Sequence, residues 1–183
     1  MKIPFFLARN VFKSFGVPVI KPSRSGNHLF FGLTSTSYRD FSLLLSRVEG
    51  SPVVTPSTWL LYRVLGKRMI FLSKDTSPNT VSPAISALNI YYFNNFDAAQ
   101  GLNTVHEAFV GVHKNSRGQG LATAIRQVAY EHFKQSALAG ITTRIKKCNQ
   151  ASLSSAEKLG FMAMPSVQGH KETEGELYLI RPL

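Results

Sequence analysis

The sequence predicts a mixed α/β domain, with helices packed against a central sheet. Three observations support this fold class. Segments with the β-branched composition of strands are interspersed with segments whose apolar residues recur every three or four positions, as in helices. One strand-like segment leads directly into a helix through a glycine-bearing turn at residues 117–122. The chain has 183 residues, of which 44% are hydrophobic, as expected for one globular domain.

The first half of the chain is predicted to follow the order strand, helix, hairpin. Residues 27–33 predict a strand, and residues 38–48 predict a helix because their apolar side chains share one face. Residues 58–65 and 68–73 predict the two strands of a hairpin, joined by a Gly-Lys turn.

The second half is predicted to follow the order strand, helix, strand, helix. The first of these helices is predicted to run from Gly118 to about Leu138, with Gly140 ending it. Its apolar residues recur at helical spacing: Leu121, Ile125, Val128, Ala129, Phe133 and Ala137. Residues 141–145 are β-branched and predict a strand, and residues 149–160 predict a shorter helix.

The glycine-bearing turn has the features of a phosphate-binding loop. Gly118 and Gly120 can adopt backbone conformations that other residues rarely adopt, so successive N–H groups can point at one anion. The N-terminus of the following helix adds unpaired donors and partial positive charge. On this pattern alone, an ordinary strand-to-helix turn is an equally good interpretation.

Two short motifs stand in order along this part of the chain. The first is Arg117-x-x-Gly120-x-Ala122, and the second is Asn149 followed by Glu157-Lys-Leu-Gly-Phe161. With their surrounding elements, residues 105–161 resemble the central half of the GNAT superfamily of acyl-CoA N-acyltransferases. The resemblance implies a mixed, mostly antiparallel central sheet with a splayed strand pair and flanking helices.

The resemblance also implies acetyl-CoA, or another acyl-CoA, as co-substrate. Its pyrophosphate would lie on the amides of residues 117–123, while Val112 and Asn149 would contact the pantetheine arm from opposite sides. The expected cofactor-binding residues are therefore Val112, Arg117, Gly118, Gln119, Gly120, Leu121, Ala122, Thr123 and Asn149. The five histidines show no metal-ligand spacing, and no metal is expected.

Transfer of an acyl group to an amine requires a base, because a protonated amine has no lone pair for attack. Glu107 is the first candidate, with His106 and His113 as alternatives. Strand alternation predicts that Glu107 and His113 share one face and that His106 lies on the other. The expected catalytic residues are Glu107 and His113, although Glu107 can equally be a solvated charge near a strand start. Backbone N–H groups around Val112 would stabilise the oxyanion.

Three features depart from the family pattern or extend it. Ala156 stands where many members carry a tyrosine that protonates the leaving thiolate, so water or a hydroxyl such as that of Ser155 would serve instead. Lys114 replaces a frequent proline and is positioned to reach a CoA phosphate. Residues 74–103 are rich in Ser, Pro, Asn and aromatics, and they predict either an extra element lining the acceptor pocket or an additional core strand.

The N-terminal region is strongly basic. The chain has a formal net charge of +11 and no acidic residue before Asp40. If residues 2–15 are helical, Lys2, Arg9 and Lys13 form one stripe, and Phe5, Ala8, Phe12 and Phe15 form another. We expect residues 1–25 to be a basic arm or targeting segment and residues 26–183 to be the acyltransferase domain. Three interpretations fit these N-terminal residues: a transit peptide, an arm that contacts nucleic acid or an anionic membrane, and an element packed on the domain.

The sequence therefore predicts an N-acetyltransferase that moves an acetyl group from acetyl-CoA to a primary amine by direct attack in a ternary complex. The alternative is a catalytically silent protein of the same fold that binds RNA, a ribonucleoprotein or an anionic membrane through its basic region. The partners expected are an amine-bearing acceptor and, through the basic surface, an acidic protein or RNA. No transmembrane segment is predicted. The single cysteine, Cys148, permits no intramolecular disulfide and suits a reducing compartment. We expect a cytoplasmic protein, or a mitochondrial one if the N-terminus is a transit peptide.

Overall fold

The computed structural model describes residues 3–48, 54–77, 85–164 and 175–183. In chain order the elements are α1 (Ile3–Ser14), β1 (Ser23–Ser25), β2 (His28–Gly32), α2 (Tyr38–Arg47), α3 (Pro56–Met69), β3 (Ile70–Asp75), β4 (Ile85–Tyr92), α4 (Asn95–Ala99), β5 (Thr104–Val112), α5 (Leu121–Phe133), β6 (Gly140–Lys146), α6 (Gln150–Lys158), β7 (Met162–Ala163) and β8 (Glu176–Pro182). None of the helices in the described ranges is long and apolar enough to cross a membrane.

The strands in the described ranges form one eight-stranded sheet in the order β1-β2-β3-β4-β5-β6-β8-β7. Every neighbouring pair is antiparallel except β5 and β6, which run parallel. One hydrophobic core lies between the sheet and α5 and α6, and a second lies under α2 and α3. The predicted fold class, a mixed and mostly antiparallel sheet with flanking helices, is confirmed.

The parallel pair diverges halfway along β5. Strands β5 and β6 pair from Thr104 with Gly140 only as far as Glu107 with Thr143. Beyond that point β6 stays paired with β8, and β5 stays paired with β4 up to Val112. Among the described strands, residues 108–112 of β5 therefore have no pairing partner on the β6 side. The predicted splay lies here, and its backbone groups need another partner.

A β-bulge at Ala108 changes which side chains share a face of β5. Ile90 pairs with Phe109 and Tyr91 pairs with Glu107, so Ala108 is an extra residue opposite β4. The extra residue inverts the alternation beyond it. As a result, Val110 packs in the core on the α5 side, where Glu107 also lies.

The predicted hairpin over residues 58–73 is wrong in its first strand. Residues 58–65 belong to α3, which begins at Pro56. Thr55 caps the helix, because its hydroxyl accepts a hydrogen bond from the Thr58 N–H. The helix buries Leu61, Tyr62, Leu65 and Met69, a helical spacing that aromatic and branched neighbours conceal in the sequence. Gly66 lies within the helix, where an added Cβ would come 3.0 Å from the Leu33 carbonyl oxygen.

The other predicted helices and strands are present, with changed ends. Helix α5 ends at Phe133, before the predicted Leu138, because the Ser136 side chain bonds the Phe133 carbonyl 2.5 Å away and tightens the last turn. Of the two interpretations of residues 74–103, the core strand is correct, since β4 is buried throughout except for its last residue. The part of that segment over residues 78–84 lies outside the described residues. The predicted boundary between residues 1–25 and 26–183 stays a prediction.

Candidate active site

The turn between β5 and α5 presents a run of unpaired backbone donors. Gly118 and Gly120 have φ angles of +77° and +73°, in the left-handed region that glycine favours. The first hydrogen bond of the helix runs from the Ala124 N–H to the Gly120 carbonyl. Within the described residues, no amide from Gly118 to Thr123 donates to a backbone acceptor. These N–H groups at a helix N-terminus form a ready site for an anion.

A cavity of about 440 Å³ lies beside this turn. It is lined by Val48, Val110, Gly111, Val112, Ser116, Arg117, Gly118, Gly120, Leu121, Ala122, Thr123, Asn149, Ala151, Ser152, Ser154, Ser155 and Lys158. The structure thus brings together all of the cofactor residues expected from the sequence except Gln119, which is exposed and does not line the cavity.

The cavity passes through the gap between β5 and β6. Its far wall is α6, where the Asn149 side chain caps the helix by accepting a hydrogen bond from the Ser152 N–H at 3.2 Å. Its lining also includes Val48, which packs in the core under α2, on the other face of the sheet. Gly111 keeps this passage narrow but open, because a Cβ there would come 3.1 Å from Val48 and 2.9 Å from the Phe109 ring.

Among the described residues, two cationic side chains line the cavity, and the sequence analysis identified only one of them. Arg117 belongs to the predicted motif, whereas Lys158 comes from the exposed face of α6. The signal for Lys158 was its place within the second motif, directly before Leu159. Lys114 lies beside a smaller cavity with His113, Arg47 and Val48.

Glu107 is buried and forms an ion pair with Arg126 of α5. The Arg126 Nη2 and Nε atoms donate to the two carboxylate oxygens at 2.7 and 3.0 Å. Asn89, Tyr91 and Thr143 add further hydrogen bonds to the carboxylate. Burial disfavours the charged form, but the Arg126 charge and the hydrogen bonds outweigh burial and lower the pKa of the Glu107 carboxyl.

Arg126 extends this contact to the far wall of the cavity. Its Nη1 donates to the Ser152 carbonyl at 3.1 Å, and its Nη2 donates to the Ser152 hydroxyl at 2.9 Å. One guanidinium therefore connects β5, α5 and α6. Glu107 is 3% exposed, so the interpretation as a solvated charge is wrong. Its assignment as the base stays a prediction.

His113 lies apart from Glu107. Its backbone N–H donates to the Ser86 carbonyl at 2.8 Å, and its imidazole Nδ1 accepts from the Asn115 backbone N–H at 3.4 Å. The imidazole lines the smaller cavity beside Arg47, at the C-terminus of α2. The predicted common face of Glu107 and His113 is wrong, because the bulge at Ala108 inverts the alternation between them.

His106 belongs to a buried polar cluster on the face opposite Glu107. Asp97 of α4 accepts hydrogen bonds from the hydroxyls of Thr142 at 2.6 Å and Tyr178 at 2.5 Å. Because the Thr142 hydrogen points at Asp97, its oxygen accepts from the His106 Nδ1 at 2.9 Å. The Tyr178 ring stacks on the imidazole with centroids 5.7 Å apart.

This cluster fixes the tautomer of His106. With the hydrogen on Nδ1, the Nε2 atom carries the lone pair, and within the described residues it has no hydrogen-bond partner. Burial lowers the pKa of the imidazole to about 4, although the Asp97 and Glu107 charges oppose this. The side chain is therefore neutral at physiological pH.

The position of the missing tyrosine, Ala156, is fully buried in the core under α6. Its neighbour Ser155 lines the cavity, and its hydroxyl lies 3.1 Å from the Thr123 hydroxyl across the gap between α6 and α5. A hydroxyl is thus present at the cavity wall where the family's phenol is absent.

Comparison with known proteins identifies the domain type. Residues 84–161 match the acetyltransferase (GNAT) family. No curated protein sequence matches this chain closely enough to count as a relative.

Solved structures share the fold across most of the chain. The ribosomal-protein-S18-alanine N-acetyltransferase of Escherichia coli aligns with a TM-score of 0.61 at 16% identity, covering 85% of this chain and 93% of its own. Naa50 of Arabidopsis thaliana, bound to the bisubstrate analogue CoA-Ac-MVNAL, aligns with a TM-score of 0.62 at 12% identity, covering 85% and 97%. NAA60 of Arabidopsis thaliana, bound to acetyl-CoA, aligns with a TM-score of 0.69 at 9% identity, covering 85% and 99%. At these identities the likeness establishes the fold.

Proposed function

We propose that this chain, whose residues 84–161 match the acetyltransferase (GNAT) family, is an acyl-CoA-dependent N-acetyltransferase whose acceptor, a primary amine, attacks acetyl-CoA directly in a ternary complex. One observation carries the proposal. Unpaired amides at the start of α5 lie beside a cavity that passes between two diverging strands.

The residues around the cavity fit acetyl-CoA. The amides of residues 118–123 would hold its pyrophosphate, with Arg117 and Lys158 supplying positive charge. The unpaired backbone of residues 108–112 and the Asn149 side chain would hold the pantetheine amides from the two sides of the gap. When bound, acetyl-CoA supplies the activated acetyl group as a thioester.

We assign removal of the amine proton to His106. Its Nε2 lone pair is available, its orientation is fixed by Thr142 and Asp97, and it lies two residues before the splay begins. The proton passes from the amine to Nε2, directly or through water. Backbone N–H groups in the splayed part of β5 stabilise the carbonyl oxygen, and Ser155 or water protonates the leaving thiolate.

The weak basicity of His106 favours a particular amine. Burial lowers the pKa of His106 and makes it a weak base, and a lysine side chain, with a pKa near ~10.4, is almost wholly protonated at neutral pH. A peptide α-amino group has a pKa of about 8 and is already partly deprotonated at neutral pH. We therefore propose the N-terminal α-amino group of a polypeptide as acceptor. The named substrates of two fold neighbours, an S18 alanine and an MVNAL peptide analogue, support this choice.

Release of free CoA in the presence of candidate peptides tests this function. We expect acetyl-CoA turnover with peptides that carry a free α-amino group and none with the same peptides blocked at that amine, even when they contain lysine. Turnover on the blocked, lysine-containing peptides would contradict the α-amino assignment. Acetyl-CoA binding without turnover on any amine, together with salt-sensitive retention of RNA, would favour the catalytically silent alternative.

A further inference from the structure

Helix α1 and the turn residue directly after it present a stripe of aromatic side chains to solvent. Phe5, Phe12 and Phe15 are 71%, 79% and 71% exposed, and the exposed Ala8 lies between them at helical spacing. We call these four residues the phenylalanine stripe. Within the described residues, the large apolar side chains exposed elsewhere are Leu43, Leu60, Val64, Met162 and, just beyond the helix, Val19. Three phenylalanines this exposed within eleven residues indicate a surface that binds something apolar.

The stripe faces outward because the opposite face of α1 is fixed to the domain. Asn10 is fully buried, and its side-chain amide both accepts from the Phe93 N–H at 2.7 Å and donates to the Phe93 carbonyl at 3.1 Å. The Phe6 ring packs edge-on against Tyr92 with centroids 5.6 Å apart. Rotating α1 to bury the stripe would break these contacts. The exposed stripe is therefore a feature of the folded domain.

The surroundings of the stripe are basic. Lys21 and Arg24 are exposed in the segment that follows the helix and enters β1. Arg9 and Lys13 lie half-buried along the helix, and the Arg9 guanidinium donates to the Phe93 carbonyl of the domain. Lys13 lies over the Phe93 ring, 5.4 Å from its centroid. No acidic residue precedes Asp40 in the sequence. An apolar stripe beside cationic side chains is complementary to an interface that is apolar inside and negatively charged at its surface.

We propose that the phenylalanine stripe docks α1 in the headgroup region of a bilayer that contains anionic lipid. The helix lies in the plane of the interface with its phenylalanine rings inserted, while the exposed Lys21 and Arg24 contact lipid phosphates. RNA fits the stripe less well. Aromatic side chains that stack on bases alternate with cations that hold the backbone, whereas the stripe itself contains only phenylalanine and alanine.

Sedimentation with vesicles tests this proposal on the full 183-residue chain. We expect binding to vesicles of phosphatidylcholine and phosphatidylglycerol, weaker binding to phosphatidylcholine alone, and weakening by salt. The triple variant Phe5→Gln/Phe12→Gln/Phe15→Gln should lose affinity by about tenfold or more, because most of the inserted apolar surface is gone. Lys21→Glu should reduce only binding to the anionic vesicles.

A matched control replaces exposed apolar side chains elsewhere. Leu43→Gln/Met162→Gln removes apolar surface from α2 and β7 and should bind vesicles as the wild type does. The triple variant should keep the thermal midpoint of the wild type and its acetyl-CoA turnover in vesicle-free buffer, which separates this proposal from the proposed function. Equal vesicle binding by the triple variant and the wild type would overturn the proposal. So would retention on RNA, but not on vesicles, that depends on the same three residues.

Discussion

Arg126→Met is expected to destabilise the protein by about 3–5 kcal/mol, since it leaves the Glu107 carboxylate buried without its cation. The substitution also removes both hydrogen bonds from the guanidinium to Ser152, which connect α6 to the rest of the site. Urea-induced unfolding of the variant and the wild type measures the loss. Arg39→Met, on an exposed arginine of α2, should stay within about 0.5 kcal/mol of the wild type.

The double variant Glu107→Leu/Arg126→Met separates structure from catalysis at this pair. Replacing both charges with apolar side chains should recover much of the lost stability, because no unpaired charge stays buried. If Glu107 only holds β5 and α5 together, the folded double variant should keep acetyl-CoA turnover. Loss of turnover in a stably folded double variant would instead support Glu107 as the base. An Arg126→Met variant as stable as the wild type would contradict the structural role of the pair.

His106→Gln is expected to lower kcat by about 10²- to 10⁴-fold, the usual contribution of a positioned base. The KM for acetyl-CoA should change little, because His106 does not line the cavity that would hold it. The deficit should narrow as the pH rises, since an amine that has already lost its proton needs no base. Steady-state kinetics across the pH range measures both effects.

The control for this variant is His28→Gln, on β2, which is separated from β5 by two strands. It should leave kcat unchanged, and thermal unfolding should show that both variants are folded. A variant at His113 tests the competing assignment of the base. If His113→Gln lowers kcat while His106→Gln does not, the assignment of the base to His106 is wrong and the original expectation for His113 stands.

The fold and the glycine-bearing turn before α5 are predictable from the sequence because their signals are local. The residues that form the glycine-bearing turn are consecutive, from 117 to 123, and two glycines mark its backbone geometry. In the helix after it, apolar residues recur every three or four positions and mark the buried face. No long-range contact is needed to recognise either feature.

The errors arise where long-range contacts decide the structure. The bulge at Ala108 depends on how β5 pairs with β4, and a single strand carries no sign of it. Residues 58–65 have strand-like composition, but Thr55 and the core under α3 make them helical. The cluster around His106 joins Asp97, Thr142 and Tyr178, which come from three distant parts of the chain. Sequence reasoning therefore found the histidine but not its fixed tautomer.

Binding of acetyl-CoA to two glycine variants tests the central assignment most directly. Gly120 and Gly101 have φ angles of +73° and +70° with open space around each Cβ position, so valine strains both backbones alike. Acetyl-CoA at about 100 times its Kd should raise the thermal midpoint of the wild type and of Gly101→Val by about 5–10 °C. Gly120→Val should lose this shift, because its amides no longer point at the pyrophosphate. An equal shift in both variants, or none in the wild type, would contradict the assignment.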